Sequence, residues 1–218
     1  MSPASRTSFI IISLLFRSNP KNKVVFWKKE ENNMSIWSAL AKIFGAKDAK
    51  RNSIKIKSVH IDFPFELEAI GGIYTFKLDR KVDIIGTRRF PSENKEREFI
   101  LHVTFKRGFK TDGASAPDIF TCLVPHFQEK NDLYNSAPFV HDGLYVWGGK
   151  VTGLDKKLSR EECDDFLREI WGIAGMSRPI RGIADKGIEF VAGSKDHWGE
   201  QSDTLDCKYQ FVTKWEYR

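Results

Sequence analysis

The sequence predicts an α+β fold, with N-terminal antiparallel strands followed by a helical half. Three observations predict it. Apolar residues alternate with period two through much of 53–109. Amphipathic stretches with cap signals take over in the second half, so strands come first and helices after. The chain has 218 residues, 41% of them hydrophobic, which suits one ordinary core.

Residues 1–33 are expected to be a basic and apolar arm outside the globular fold. Phe9 to Phe16 is an apolar run flanked by Arg6 and Arg17. It is similar to the hydrophobic part of a signal peptide, but it is short and no small-x-small cleavage site follows. Residues 34–52 form the next unit, an amphipathic helix and linker. Ser35 can cap a helix that Gly45 ends. Ile36, Leu40, Ile43 and Phe44 share one face, with Trp37 beside it and Lys42 and Lys47 flanking. Trp37, Leu40 and Phe44 are therefore the candidate membrane or partner contacts. Docking of this helix on the protein's own core is the other reading.

Residues 53–218 are expected to form a single α+β domain. Ile54 and Ile56 alternate, and Val59, Ile61 and Phe63 resume the alternation after a one-residue slip. The segments IYTFKL, VDIIG and FILHVTF follow, separated by Pro64, Gly71-Gly72 and Pro91-Ser92. Helices are predicted over Asn135–Trp147, Ser159–Ile173 and Arg178–Val191. Ser159 with Glu162 three residues on is a capping-box pattern, and Gly175 suits that helix's end.

The net charge of +6 is unevenly placed. Residues 1–57 carry +9 and the remaining 161 carry −3. The body therefore lacks the basic balance of a nucleic-acid reader, and no sequence-specific nucleic acid is expected as a partner. The basic arm points instead to phosphates, those of an anionic membrane lipid among them. Cys122, Cys163 and Cys207 are too few and too scattered for a disulfide framework, and no zinc-finger spacing exists.

Two blocks carry the candidate chemistry. Thr111-Asp112-Gly113-Ala114-Ser115-Ala116-Pro117 follows a strand and reads as a loop. Asp112 and Ser115 offer oxygens, and Gly113 lets the backbone approach a ligand. A structural turn explains the same residues, and Ser115 lacks the GxSxG elbow of a nucleophile. Val140-His141-Asp142-Gly143-Leu144-Tyr145 falls on a helix, with Tyr145 at i+4 from His141. The next helix brings Arg160, Glu161, Glu162, Asp164 and Asp165. His141 and Asp164 can be a reactive pair or simply a pair that stabilises the fold. Arg160 can pair with an acid of its own helix or hold an anionic substrate. Cys163 stands among acids and is expected to be inert.

The blocks TDGASAP, APFVHDGLY and SREECDDFLREIWGIAGM, in that order, resemble the phage and prophage family called domain of unknown function 1353. Its pattern is DGAS-x-P, then HD-x-LY, then R-x-x-AD. The resemblance spans roughly residues 55–200 and departs from the pattern at Cys163, where Ala is usual. It implies a phage, prophage or mobile-element origin, and the expected location is the host cytoplasm or a membrane surface. More distantly, His141-Asp142-x-x-Tyr145 with an Asp on a second helix is similar to phospholipase A2, in its compact parvovirus form. That resemblance implies His141 as general base, Asp164 as the residue holding its tautomer, and Asp142 as a Ca²⁺ ligand. It implies Tyr145 as a support for a carboxylate. The Gly-rich calcium loop of that class is missing, and Asp112 with the carbonyls near Gly113 is the available replacement.

The leading expectation is thus Ca²⁺-dependent, phospholipase A2-like ester hydrolysis. One alternative is a non-enzymatic phage accessory protein that binds a phage or host protein. Another is a metal-dependent cell-wall hydrolase using His141, Asp112 and Asp164 as ligands.

Overall fold

The computed structural model describes residues 53–90, 92–114, 124–182, 184, 198 and 210–218. The expected arm and the Ser35–Phe44 helix, with Trp37, Leu40 and Phe44, lie outside the described residues. So do Ser115, Cys122 and Cys207. All described residues belong to one compact unit.

The fold is α+β. A four-stranded antiparallel sheet has the order β1 (Ile54–Ile61), β4 (Arg80–Phe90), β5 (Lys95–Phe105), β7 (Phe211–Tyr217). A smaller sheet joins β2 (Leu67–Ile70), β3 (Ile73–Phe76) and β6 (Lys110–Thr111). Two helices follow, α1 (Asp132–Val146) and α2 (Arg160–Ile173). Residues 178–182 and 184 are helical, and the rest of the helix expected to reach Val191 lies outside the described residues.

The slip read in β1 is a β-bulge. Ile56 pairs with Gly86 and Ser58 with Ile85, so Lys57 is the extra residue. The alternation ends at Ile61, and Phe63 is exposed. Gly71 and Gly72 close the β2–β3 hairpin, both at positive φ, as a type I′ turn demands. One strand departs from the strands-then-helices order. Phe211, Thr213 and Trp215 alternate inward along β7, which returns after the helices to pair with β5.

The first helix starts three residues earlier than expected. Asn131 is its N-cap and accepts from the Tyr134 amide, whereas Asn135 binds the backbone of Gln128 through both amide atoms. At its end, the Gly148 amide donates to Tyr145 O and the Gly149 amide to Leu144 O, which is a Schellman motif. Helix α2 carries the full capping box of Ser159 and Glu162. It ends in a second Schellman motif, with Gly175 bonded to Gly172 O and Met176 to Trp171 O.

Three rings join the layers. Phe76 of the small sheet lies 4.9 Å from Phe105 of the large sheet and 5.5 Å from Phe139 of α1, between ring centroids. All three are buried, and each such side chain contributes up to about 3 kcal/mol of burial. Two polar ties fix α2 to the large sheet. Arg88 of β4 makes a bidentate, buried pair with Glu162, at 2.8 and 3.0 Å. Asp165 accepts from the amides of Ser53 and Ile54 at the start of β1. These contacts seat α2 on the large sheet, while Phe139 seats α1 on the same core.

Candidate functional site: a histidine between two carboxylates

His141 and Tyr145 lie one turn apart on α1, and their ring centroids are 4.1 Å apart. Helix α2 supplies Asp164. His141 Nε2 stands 3.0 Å from Asp164 Oδ1, and the Tyr145 hydroxyl donates to the same oxygen at 2.7 Å. Arg160 of α2 extends the network across the helices. Its Nε donates to the Tyr145 oxygen at 3.0 Å, and its guanidinium stands 5.7 Å from that ring's centre. Trp198 meets Tyr145 edge-on, with centroids 4.9 Å apart.

The second ring nitrogen of His141 faces a different acid. Nδ1 is 3.6 Å from Asp142 Oδ1, just beyond a direct hydrogen bond. Asp142 is held from its other side, where the Thr111 hydroxyl donates to Oδ2 at 2.6 Å. The side chains of His141, Asp142 and Asp164 are 12%, 17% and 17% exposed, so the cluster is recessed yet reachable.

Charge and burial compete at each group. Burial opposes the His141 cation, but Asp142 and Asp164 outweigh it and raise the imidazole pKa. Burial also raises Asp142, and the nearby Asp112 charge adds to that rise. At Asp164 burial is overcome by hydrogen bonds from His141 and Tyr145, so its pKa is lowered. Tyr145 is raised by burial and by Asp164. Cys163 is buried, and burial with the surrounding acids raises its thiol well above the ordinary value, which leaves it inert.

The loop before α1 packs tightly. Gly113 has φ +76, and a Cβ there would meet the His126 carbonyl oxygen at 2.2 Å. Its amide donates to the Thr111 hydroxyl oxygen at 3.0 Å. Asp112 is exposed beside this turn. Gly143, inside the His-Asp motif, has a packing reason as well: a Cβ would meet the Phe211 ring at 2.2 Å, so α1 presses on β7 there.

Of the residues singled out in the sequence, His141, Asp142, Tyr145, Arg160 and Asp164 converge. Asp112 and Gly113 stand next to them, on the Thr111 side of Asp142. Thr111 itself carried no role in the sequence reading, nor did Trp198. The available signal for Thr111 was its place at the end of a strand, directly before the DGAS loop. Among the described residues, no group of three or more His, Cys, Asp and Glu side chains gathers as a metal centre.

Fold and site together define an α+β protein with a His/Asp pair clasped between two helices. Residues 89–184 match the family model described as "Protein of unknown function (DUF1353)". That span is narrower than the 55–200 expected from the motifs, and it contains every converging residue. No curated protein and no solved structure matches the chain.

Proposed function

We propose that the protein is a phage- or prophage-derived hydrolase that cleaves an ester, phospholipid esters first among them, with His141 as general base and Ca²⁺ at Asp142. The observation that carries this reading is the two-sided placement of His141. Its Nε2–H donates to Asp164, which leaves the Nδ1 lone pair facing the gap of 3.6 Å to Asp142. A water bound beside Nδ1 can give its proton to that nitrogen as its oxygen attacks the ester carbonyl. Asp164, supported by Tyr145 and Arg160, holds the tautomer and stabilises the imidazolium that forms.

Two oxygen-bearing side chains stand ready for a hard cation. Asp142 and Asp112 are carboxylates close enough for one to raise the pKa of the other. Ca²⁺ there would polarise the ester carbonyl. Asp142 would then no longer hold the His141 proton, and the base would be free near neutral pH. Residues 1–57, at +9, would bring the protein to an anionic membrane. The cell-wall hydrolase reading is less well supported, because His141 Nε2 and Asp164 already face each other as a hydrogen-bonded pair.

Titration of the His141 ring by NMR tests the reading. Without Ca²⁺ the midpoint is expected above the ordinary value of about 6.5. Saturating Ca²⁺ is expected to lower it, and Asp142→Asn to abolish that response. A wild-type midpoint indifferent to Ca²⁺ overturns the reading.

A further inference from the structure

We infer that the cavity between the start of β1 and the β4–β5 hairpin binds a phosphate group, held by Lys55 and Arg89. It lies on the face of the large sheet opposite α2, so it is distinct from the His141 site and independent of any hydrolysis. The pleat sorts the two faces. Arg88 points to Glu162 of α2, and its neighbours Thr87 and Arg89 point the other way. Register places Lys55 opposite Thr87, and Glu96 opposite Arg89. All four line one cavity of about 230 Å³, which Ser53, Asn94 and Lys95 complete. Ser53 is fixed from both sides. Its carbonyl accepts from the Arg89 amide at 2.8 Å, and its own amide donates to Asp165 at 2.8 Å.

The cavity sets three cations against one carboxylate, and the acids of this region are already engaged. Glu96 is the register partner of Arg89, yet its carboxylate takes the hydroxyl proton of buried Thr87. Glu98 pairs with Lys57, the bulged residue of β1. Glu93 serves Arg97 and Lys95, at 3.5 and 3.9 Å. Among the described residues, neither Lys55 nor Arg89 makes an ion pair with a carboxylate. Two such cations lining one cavity repel each other, and an anion between them offsets that repulsion.

The donor types select the anion. Arg89 offers a planar fork of N–H groups, and Lys55 a compact point charge. The Ser53 hydroxyl and the Asn94 amide add neutral donors. A tetrahedral phosphate dianion takes donors from several sides at once and matches two positive charges. A carboxylate is planar, carries one charge and would satisfy Arg89 alone. The ligand chemistry is a terminal phosphate, on a soluble molecule or on a lipid headgroup.

Calorimetric titration of the full chain with inorganic phosphate, at an ionic strength held constant with chloride, tests the inference. Wild type should bind phosphate. Lys55→Gln and Arg89→Gln should each weaken that binding about tenfold or more, the scale of one hydrogen bond to a charged group. Lys81→Gln is the control for net charge. It lies on the same face of β4 but about 26 Å along the strand from Arg89, and should bind as wild type. Circular dichroism checks each variant. Arg89→Lys, which keeps the charge and loses the fork, serves if Arg89→Gln does not fold, and should also bind more weakly. Flotation with phosphatidylcholine vesicles containing phosphatidic acid separates the two sources. Vesicle binding that inorganic phosphate competes away and Arg89→Gln loses assigns a headgroup phosphate. Phosphate binding without Arg89-dependent vesicle binding assigns a soluble ligand. A wild type that binds no phosphate overturns the inference, as does phosphate binding that survives in folded Lys55→Gln and Arg89→Gln or falls equally in Lys81→Gln.

Discussion

His141 stands between two carboxylates that compete for the same ring, and the sign of its titration follows from them. Its folded pKa is raised, so the stability it contributes is full below the unfolded value of about 6.5. That stability is lost as pH rises through the raised folded pKa. Asp164 behaves in the opposite sense: its pKa is lowered, so its contribution is present above the unfolded value and lost in acid, through the lowered one. His141→Gln should therefore destabilise the protein more at pH 5 than at pH 9, measured as urea midpoints at both. Asp164→Asn removes the acceptor that sets the tautomer. If His141 is the base, that variant should lose about 10²- to 10⁴-fold in turnover, read from initial rates on phospholipid vesicles. His141, Asp142 and Tyr145 were legible in the sequence because they share little more than one helical turn, and Asp164 because of the resemblance to a two-helix motif. The sequence did not reveal Thr111, whose role depends on how a strand end meets a helix.

Capping explains what was legible at the scale of elements. Ser159 and Glu162 satisfy each other within four residues, so the start of α2 could be read directly. Ser159→Ala should cost about 1 kcal/mol in urea unfolding. The start of α1 was misplaced between two asparagines. Asn131 and Asn135 are equivalent by propensity, and what separates them is the Gln128 backbone that Asn135 binds. Strand β7 was missed because its partner β5 ends at Phe105, far upstream, and period-two patterning over seven residues does not name a partner. The two elements meet at Gly143. Gly143→Ala should force α1 away from Phe211 and cost about 1–3 kcal/mol, with a matching loss at the site one residue away.

For the whole molecule, the site depends on α1 and α2 staying in register over the sheet. The buried Arg88–Glu162 pair holds α2 down from β4, and Glu162 also completes the helix cap. Arg88→Ala leaves a buried carboxylate without its cation and should cost about 3–5 kcal/mol in chemical denaturation. Replacing both partners with apolar residues of similar volume should be far milder. No helix among the described residues is long and apolar enough to cross a membrane.

The most direct measurement is fatty-acid release from anionic phospholipid vesicles by the purified full chain, with Ca²⁺ and with a chelator, beside His141→Ala. Calcium-dependent release that disappears in a folded His141→Ala is the predicted result. No release from any vesicle composition by the wild type, or release that persists in the variant, would contradict it.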